Sequence, residues 1–317
     1  MKKIAALFAA AFVMTWLAAP LAAKKTETTN VPPDSIAAHQ REFEAWRKDR
    51  VASLSKPDGW LSLAGLYWLN PGDNKFGSAE SNPVRFPDKA PAQMGTFTLD
   101  YGKVHVSVLP DAKVTSDGAP VAQMDLISDQ DGKPTILQMG SLSWYVIQRG
   151  DRFAIRIKDT DSPALQMFKG VPYYPYSEAW RFVATWEPYI PPKQVQVTNI
   201  VGQTFDQQCP GAYVFQKNGV TYRLEPTREE NQLFLVFSDA TTGRDTYGGG
   251  RFLYTSIPDM NTHKVVLDFN RAYNPPCAFT AWATCPLPMP QNKLAIRVEA
   301  GEKLNPNGVS APGHSVN

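Results

Sequence analysis

The chain has 317 residues, of which 43% are hydrophobic and 20% are charged, with a formal net charge of +2. This apolar content suffices for one large core or two smaller ones, and it excludes an intrinsically disordered or collagen-like chain. Basic and acidic residues nearly balance, at 32 and 30, so a nucleic-acid partner is disfavoured.

Residues 1–23 have the pattern of a secretory signal peptide. Two lysines precede an uncharged, mostly apolar run from Ile4 to Ala23, with Pro20 near its end. Small residues at the end of the run and a helix-breaking proline favour cleavage near Ala23 over retention as a membrane anchor. We therefore expect an exported protein, periplasmic or extracellular, with no membrane span after cleavage.

Residues 24–33 are polar and predict a flexible leader, and residues 34–57 predict one amphipathic helix. Asp34 or Ser35 can cap its start, and the turn-forming sequence from Pro57 ends it. Apolar residues recur inside this segment near helical spacing, namely Ile36, Phe43, Trp46, Val51 and Leu54.

From Trp60 onward the hydrophobic period becomes two and turn residues punctuate the chain, which is typical of all-β structure. The alternating apolar sets are Val104, Val106 and Val108; Phe153, Ile155 and Ile157; Leu233, Leu235 and Phe237; Val265, Leu267 and Phe269; and Leu294, Ile296 and Val298. In the second set the alternate positions hold Ala154, Arg156 and Lys158. Each segment therefore predicts a strand with one buried face and one outward face.

A stretch rich in proline and aromatic residues, 168–192, predicts the seam between two β units, because proline cannot donate to a central ladder. We expect a first β unit, a sandwich, over 58–167, a second over 168–303, and a polar tail over 304–317. The predicted fold is all-β, with two packed β-sandwich or barrel-like units preceded by one N-terminal amphipathic helix.

The densest polar sequence lies near the C-terminus and is the candidate site. It predicts Asp268 and Glu302 as catalytic carboxylates, one as general base or nucleophile and the other as general acid. The residues predicted to position a ligand are Arg251, Asn270, Arg271, Tyr273 and Asn274. The alternative is structural, with Asp268 and Arg271 as an ion pair and the asparagines capping turns. We expect no cofactor and no metal.

Three cysteines are present, at positions 209, 277 and 285. Cys277 and Cys285 are eight positions apart in a proline-rich segment, so export to an oxidising compartment predicts a disulfide between them, with Cys209 free. The alternative is that Cys277 is a nucleophile, although no histidine lies near it in the sequence.

Several motifs closely resemble a bacterial family known as domain of unknown function 1684. They are Gly59-Trp60-Leu61-Ser62-Leu63, Thr246-Tyr247-Gly248-x-Gly250-Arg251, Asp268-Phe269-Asn270-Arg271-Ala272-Tyr273-Asn274-Pro275-Pro276-Cys277, and Ala300-Gly301-Glu302. The resemblance covers about residues 42–303 and implies no established activity.

A second resemblance concerns the first β unit, where Leu69-x-Pro71-Gly72-x-Asn74-x-Phe76-Gly77-Ser78 is similar to the frame of a forkhead-associated sandwich. Ser78 occupies the position of that family's phosphothreonine-reading arginine. The resemblance therefore implies a sandwich shape rather than phosphopeptide binding.

Three functions are compatible with these observations. The first is a hydrolase acting on a small or glycan-like envelope substrate, with its site in the second β unit. The second is a non-catalytic module that binds a sugar or another small molecule, with tryptophans as stacking faces. The third is a structural or assembly protein of the envelope. The sequence leaves the oligomeric state open.

Overall fold

A computed structural model of the protein describes residues 33–304, so the predicted signal peptide and most of the predicted leader and tail lie outside the described residues. One long helix, α1 (Pro33–Leu54), comes before every strand, as predicted. The helix ends before Pro57, the proline predicted to stop it. Within 33–304, no helix is long and apolar enough to cross a membrane.

The first unit is a sandwich of two sheets. Its strands are β1 (Leu63–Trp68), β2 (Gly72–Gly77), β3 (Val84–Arg85), β4 (Gly95–Asp100), β5 (Lys103–Val108), β6 (Thr115–Ser116), β7 (Ala119–Pro120), β8 (Gln123–Leu126), β9 (Leu137–Met139), β10 (Leu142–Arg149) and β11 (Arg152–Asp159). One sheet has the order β1-β11-β10-β9-β6-β7 and the other β3-β2-β4-β5-β8. Both contribute to one core, in which the rings of Phe86 and Trp144 meet edge to face at 4.9 Å.

The second unit also has two sheets around one core. Its strands are β12 (Arg181–Thr198), β13 (Thr204–Lys217), β14 (Val220–Leu224), β15 (Thr227–Glu229), β16 (Gln232–Phe237), β17 (Arg251–Ser256) and β18 (Lys264–Asp268). The sheet orders are β14-β13-β12-β18 and β15-β16-β17. Buried side chains from both sheets pack together, including Trp186, Leu235 and Phe269. The all-β prediction is therefore confirmed. The strand predicted at 294–298 is not formed: Leu294 and Val298 are buried in this core, but they reach it from an irregular segment.

Short helices lie before, between and after these strands. They are α2 (Pro163–Met167) and the 3-10 turns Trp60–Ser62, Pro110–Ala112, Glu178–Trp180, Phe269–Arg271, Pro276–Ala278 and Pro290–Asn292.

The proline-rich stretch differs from the expectation, because part of it is strand. β12 spans 18 residues and carries Pro188, Pro191 and Pro192. Its pairing with β13 runs to Pro188 and resumes at Lys193, so Pro191 and Pro192 lie in the gap of the ladder and Pro188 lies at its edge. A proline in a gap of the ladder removes no hydrogen bond, and this is why the strand tolerates three of them.

Two strands depart from the predicted pattern of one buried and one outward face. In β11, Ala154 and Arg156 are buried together with Ile155 and Ile157. In β16, Phe234 is buried as well as Leu235. Both strands have one face in the core of their own unit and a second face at the junction of the two units.

Candidate functional site

The polar cluster predicted as the site connects the second unit to helix α1. Asp268 ends β18, and its Oδ1 accepts hydrogen bonds from the backbone N–H and the side-chain amide of Asn270, at 3.0 and 2.8 Å. Its Oδ2 lies 3.7 Å from Arg271 Nε. Arg271 also donates to Glu42 of α1, at 3.1 Å. This is the ion-pair and capping arrangement of the structural alternative.

Asn270 is committed to the backbone of a neighbouring segment. Its Oδ1 accepts from the Ser177 N–H and its Nδ2 donates to the Ser177 carbonyl, both at 3.0 Å. A paired amide of this kind replaces the two backbone bonds that the irregular segment would otherwise lack.

Glu302 is fully buried and receives three hydrogen bonds. They come from Arg50 Nε of α1 at 3.0 Å, from the Tyr173 hydroxyl at 3.1 Å and from the Asn274 backbone N–H at 2.7 Å. Burial, followed by the Glu302 charge, raises the pKa of Tyr173, so this phenol stays a donor. The preceding Gly301 has φ of +79°, and a side chain there would collide with the Ala272 carbonyl.

Tyr273 and Asn274 complete the contact with the helix. The Arg50 guanidinium lies 4.5 Å from the centre of the Tyr273 ring and donates to the Asn274 carbonyl at 2.9 Å. Glu302, Tyr273 and Asn274 therefore form a socket for Arg50, which we call the α1 socket.

Arg251 lies apart from the α1 socket. Its side chain is fully buried and donates to Asp239 at 2.7 Å, to the Val298 carbonyl at 2.9 Å and to the Ala300 carbonyl. Burial lowers the pKa of Arg251, while Asp239 opposes that change. The predicted catalytic and ligand-binding roles stay predictions, but the polar groups of these residues are largely occupied by protein partners.

A cavity of about 300 Å³ lies elsewhere, between the two units. The first unit and the turn before it contribute three side chains, and the remainder come from the second unit and the C-terminal loop. The lining residues are Trp60, Arg149, Arg156, Val197, Phe205, Gln207, Glu225, Thr227, Glu229, Phe234, Val236, Phe252, Tyr254, Pro276, Ala283, Thr284, Cys285, Pro286, Leu287, Met289 and Asn292. We call this space the junction cavity.

Arg156 is the unusual group of the junction cavity. Only 4% of its surface is exposed. Within residues 33–304 its guanidinium has neither a hydrogen bond nor an ion pair, and its Nε is buried without a partner. The ring of Trp60, at 5.7 Å from the guanidinium carbon, is a loose cation-π contact. A buried cation normally has a paired anion.

Two other charged side chains of the cavity, Arg149 and Glu225, already have ion-pair partners. Arg149 Nη1 holds both carboxylate oxygens of Asp129, at 3.0 and 2.9 Å. Glu225 accepts from Lys193 and Gln291, each at 3.0 Å, and from the hydroxyl of Tyr189. Burial alone would raise the pKa of Glu225, but these hydrogen bonds outweigh it and lower that pKa.

Aromatic side chains form an apolar wall of the cavity. Phe234 packs edge to face on Phe252 and stacks on Tyr254, both at 4.8 Å between ring centres. The Tyr254 hydroxyl donates to Glu229 at 2.7 Å. The wall thus offers flat apolar faces with one polar edge.

Cys285 lines the junction cavity and Cys277 lies beside it. The Cys277 N–H donates to the Cys285 sulfur at 3.1 Å, and the Cys285 N–H donates to the Cys277 sulfur at 3.3 Å. All three cysteines are free and buried thiols, so the predicted disulfide is not present in the structure. Each sulfur accepts the backbone N–H of the other cysteine, so the two thiols are neighbours in the structure.

Comparison with known proteins places the chain in a family. The family described as "Protein of unknown function (DUF1684)" matches residues 166–303. An uncharacterized protein of Haloarcula marismortui, solved by solution NMR, is 30% identical over 44% of this chain and 78% of its own, with a TM-score of 0.38. The chain belongs to the DUF1684 family. The family predicted from the motifs is confirmed.

Other solved structures resemble part of this DUF1684 member. An FHA domain from a study of phosphothreonine-dependent FHA domain interactions is 18% identical over 29% of this chain and 92% of its own, with a TM-score of 0.21. No curated protein matches the chain. The family match over residues 166–303 includes Cys277 and Cys285, whereas Arg156 lies before the matched range.

Sequence reasoning missed Arg156 because its strand alternates correctly and so appeared to place it on the outward face. No local signal distinguishes it, since an arginine between two isoleucines is the ordinary pattern of a strand with one outward face. Cys285 was identified, although as a disulfide partner rather than as part of a cavity wall.

Proposed function

We propose that this protein binds a small organic carboxylate with an apolar body in the junction cavity. The observation that carries this proposal is the buried, unpaired guanidinium of Arg156 in the cavity wall. A buried charge without a counter-ion costs several kcal/mol. A carboxylate would remove that cost, because the planar guanidinium can donate two parallel hydrogen bonds to it.

The rest of the cavity supports an apolar ligand body. Phe234, Phe252 and Tyr254 provide ring faces, and a volume of about 300 Å³ is at the small end for a ligand site. These properties favour an acid with one ring or a short branched chain. The acidic groups of the cavity wall, Glu225 and Glu229, already accept hydrogen bonds from Lys193 and Tyr254.

Binding is favoured over hydrolysis by Asp268 and Glu302 because neither carboxylate lines the junction cavity. Both accept hydrogen bonds from the protein itself, and Glu302 has no exposed surface. We also propose that binding takes place outside the cytoplasm, on the basis of the signal-like sequence of residues 1–23.

Calorimetric titration of the protein with 3-phenylpropionate and with its uncharged amide tests the proposal. We expect the acid to bind at least tenfold more tightly than the amide, and Arg156→Gln to remove the difference. Arg152→Gln is the matched control, since Arg152 is on the same strand, is exposed and does not line the cavity.

Equal affinity for the acid and the amide, or unchanged acid binding by Arg156→Gln, would contradict the proposal. Phenyl phosphate serves as a third probe. If it binds through Arg156 and the carboxylate does not, the site is an anion site of a different class and the carboxylate assignment is wrong.

A further inference from the structure

The two cysteines at the cavity have a function available to them beyond packing. Cys285 faces the junction cavity, and Cys277 sits behind it in the 3-10 turn Pro276–Ala278. The reciprocal N–H···S hydrogen bonds, at 3.1 and 3.3 Å, keep the sulfurs together in the reduced protein. A thiol at the wall of a ligand cavity with a second thiol beside it can reduce a bound disulfide, because the second thiol resolves the mixed disulfide formed by the first.

The groups around the two cysteines shift their pKa values in opposite directions. A hydrogen bond from the Cys285 thiol lowers the pKa of Cys277, against the effect of burial, and the Arg156 charge adds to the lowering. Burial and the neighbouring Cys277 raise the pKa of Cys285. Of the two thiols, Cys277 therefore loses its proton more readily than Cys285.

We propose that Cys277 and Cys285 form an exchange site that reduces small disulfides carrying a carboxylate. The inference rests on the proposed function, since Arg156 would hold the carboxylate of the disulfide. Cys285 is the residue that meets the substrate because it lines the cavity. Cys277 is shielded behind it and closes the protein disulfide.

The exchange balances in two steps. Starting from the singly deprotonated pair, the Cys285 sulfur attacks one sulfur of the substrate disulfide and its proton passes to Cys277. The substrate S–S bond breaks, and the first thiolate released takes a proton from solvent.

In the second step the Cys277 sulfur gives up its proton and attacks Cys285. This breaks the mixed disulfide, and the second substrate thiolate leaves with that proton. The protein dithiol is oxidised to a disulfide and the substrate disulfide is reduced to two thiols.

Two small disulfides of opposite charge provide the test. The reduced, folded protein is incubated with 3,3′-dithiodipropionic acid or with cystamine, and the remaining thiols are alkylated and located by mass spectrometry. We expect the dianionic disulfide to oxidise the pair at least tenfold faster than the dication does. Cys209 is the internal control: burial raises its pKa to about 11, so it should stay reduced.

Substitutions of Arg156 and Cys277 test the role proposed for each residue in the exchange. Arg156→Gln should abolish the preference for the anionic disulfide, and Arg152→Gln should retain it. Cys277→Ser should stop the reaction at a mixed disulfide on Cys285. The comparison of the two disulfides on the unmodified chain needs no variant, so it decides the proposal even where a substitution prevents folding.

The outcomes separate the two proposals. If 3-phenylpropionate binds through Arg156 but the pair stays reduced in dithiodipropionate, exchange is refuted and carboxylate binding stands. If both disulfides oxidise the pair at the same rate, with or without Arg156, recognition by Arg156 is refuted and the inference falls with it.

Discussion

Replacing Arg156 with methionine should make the ligand-free protein more stable. The guanidinium is 4% exposed and unpaired within the described residues, so it contributes the cost of desolvation without an ion pair to offset it. Methionine has a similar length, is apolar and can adapt to the space. Most buried substitutions destabilise a protein, so a gain would be diagnostic.

The size of the gain follows from two opposing effects. Replacing buried charged groups with apolar side chains stabilises proteins by about 1–4 kcal/mol. Loss of the Trp60 contact, at 5.7 Å, removes about 0.5–1 kcal/mol. The two effects leave a net gain of about 0–3.5 kcal/mol. Its midpoint of about 2 kcal/mol corresponds to a rise in Tm of about 4 °C for a chain of this size.

Thermal unfolding followed by circular dichroism, in a Tris chloride buffer without carboxylates, measures this change. Arg152→Met is the control, because Arg152 is exposed on the same strand, and its Tm should change little. Saturating 3-phenylpropionate should raise the Tm of the unmodified protein and leave that of Arg156→Met unchanged, since a ligand at a hundredfold excess over Kd stabilises only the protein that binds it, by about 2.7 kcal/mol. A Tm below that of the unmodified protein, with no ligand present, would refute the reasoning.

Three further predictions concern the paired carboxylates. Glu302→Gln should destabilise the fold by about 3 kcal/mol in urea unfolding, because Arg50 loses its buried carboxylate, and α1 should become sensitive to protease. Asp239→Asn should cost about 3–5 kcal/mol in the same measurement, because it leaves the fully buried Arg251 without its anion. The lowered pKa of Glu225 means that its contribution is present above pH 4.5, the ordinary value, and is lost as the pH falls further. The stability difference between the unmodified protein and Glu225→Gln should therefore shrink below that pH.

Matched controls accompany these substitutions. Glu44→Gln alters an exposed carboxylate on α1, the helix that carries Arg50. It should change the free energy of unfolding by less than about 0.5 kcal/mol. An equal effect of Glu44→Gln and Glu302→Gln would argue against the α1 socket. Parallel pH profiles for the unmodified protein and Glu225→Gln would show that Glu225 is not stabilised by its hydrogen bonds.

Local features of the chain could be predicted because they depend on neighbouring residues. The helix was located from spacing and from the stop at Pro57, and it is found at Pro33–Leu54. The alternation at Val104 and Val106 predicted β5 and its buried face correctly. In both cases the signal is a period imposed by backbone geometry, which the sequence records directly.

The partners of the predicted polar cluster could not be predicted from the sequence. Crowding of Asp268, Asn270 and Arg271 indicated that these side chains need partners, and they do have them. The partners include Glu42 of α1 and the Ser177 backbone, which are remote in sequence. Whether a polar cluster faces a ligand or a helix of the same chain depends on packing between distant segments.

The amino-acid sequence by itself determined the all-β class, the single N-terminal helix and the membership of a family. Only the tertiary structure decided that Arg156 is buried, that it shares a cavity with Cys285, and that Arg50 fills the α1 socket. The physical reason is that alternation along a strand specifies which side chains share a face, but not what packs against that face. The second unit covers the outward face of β11, and this converts an ordinary surface arginine into an unpaired buried cation.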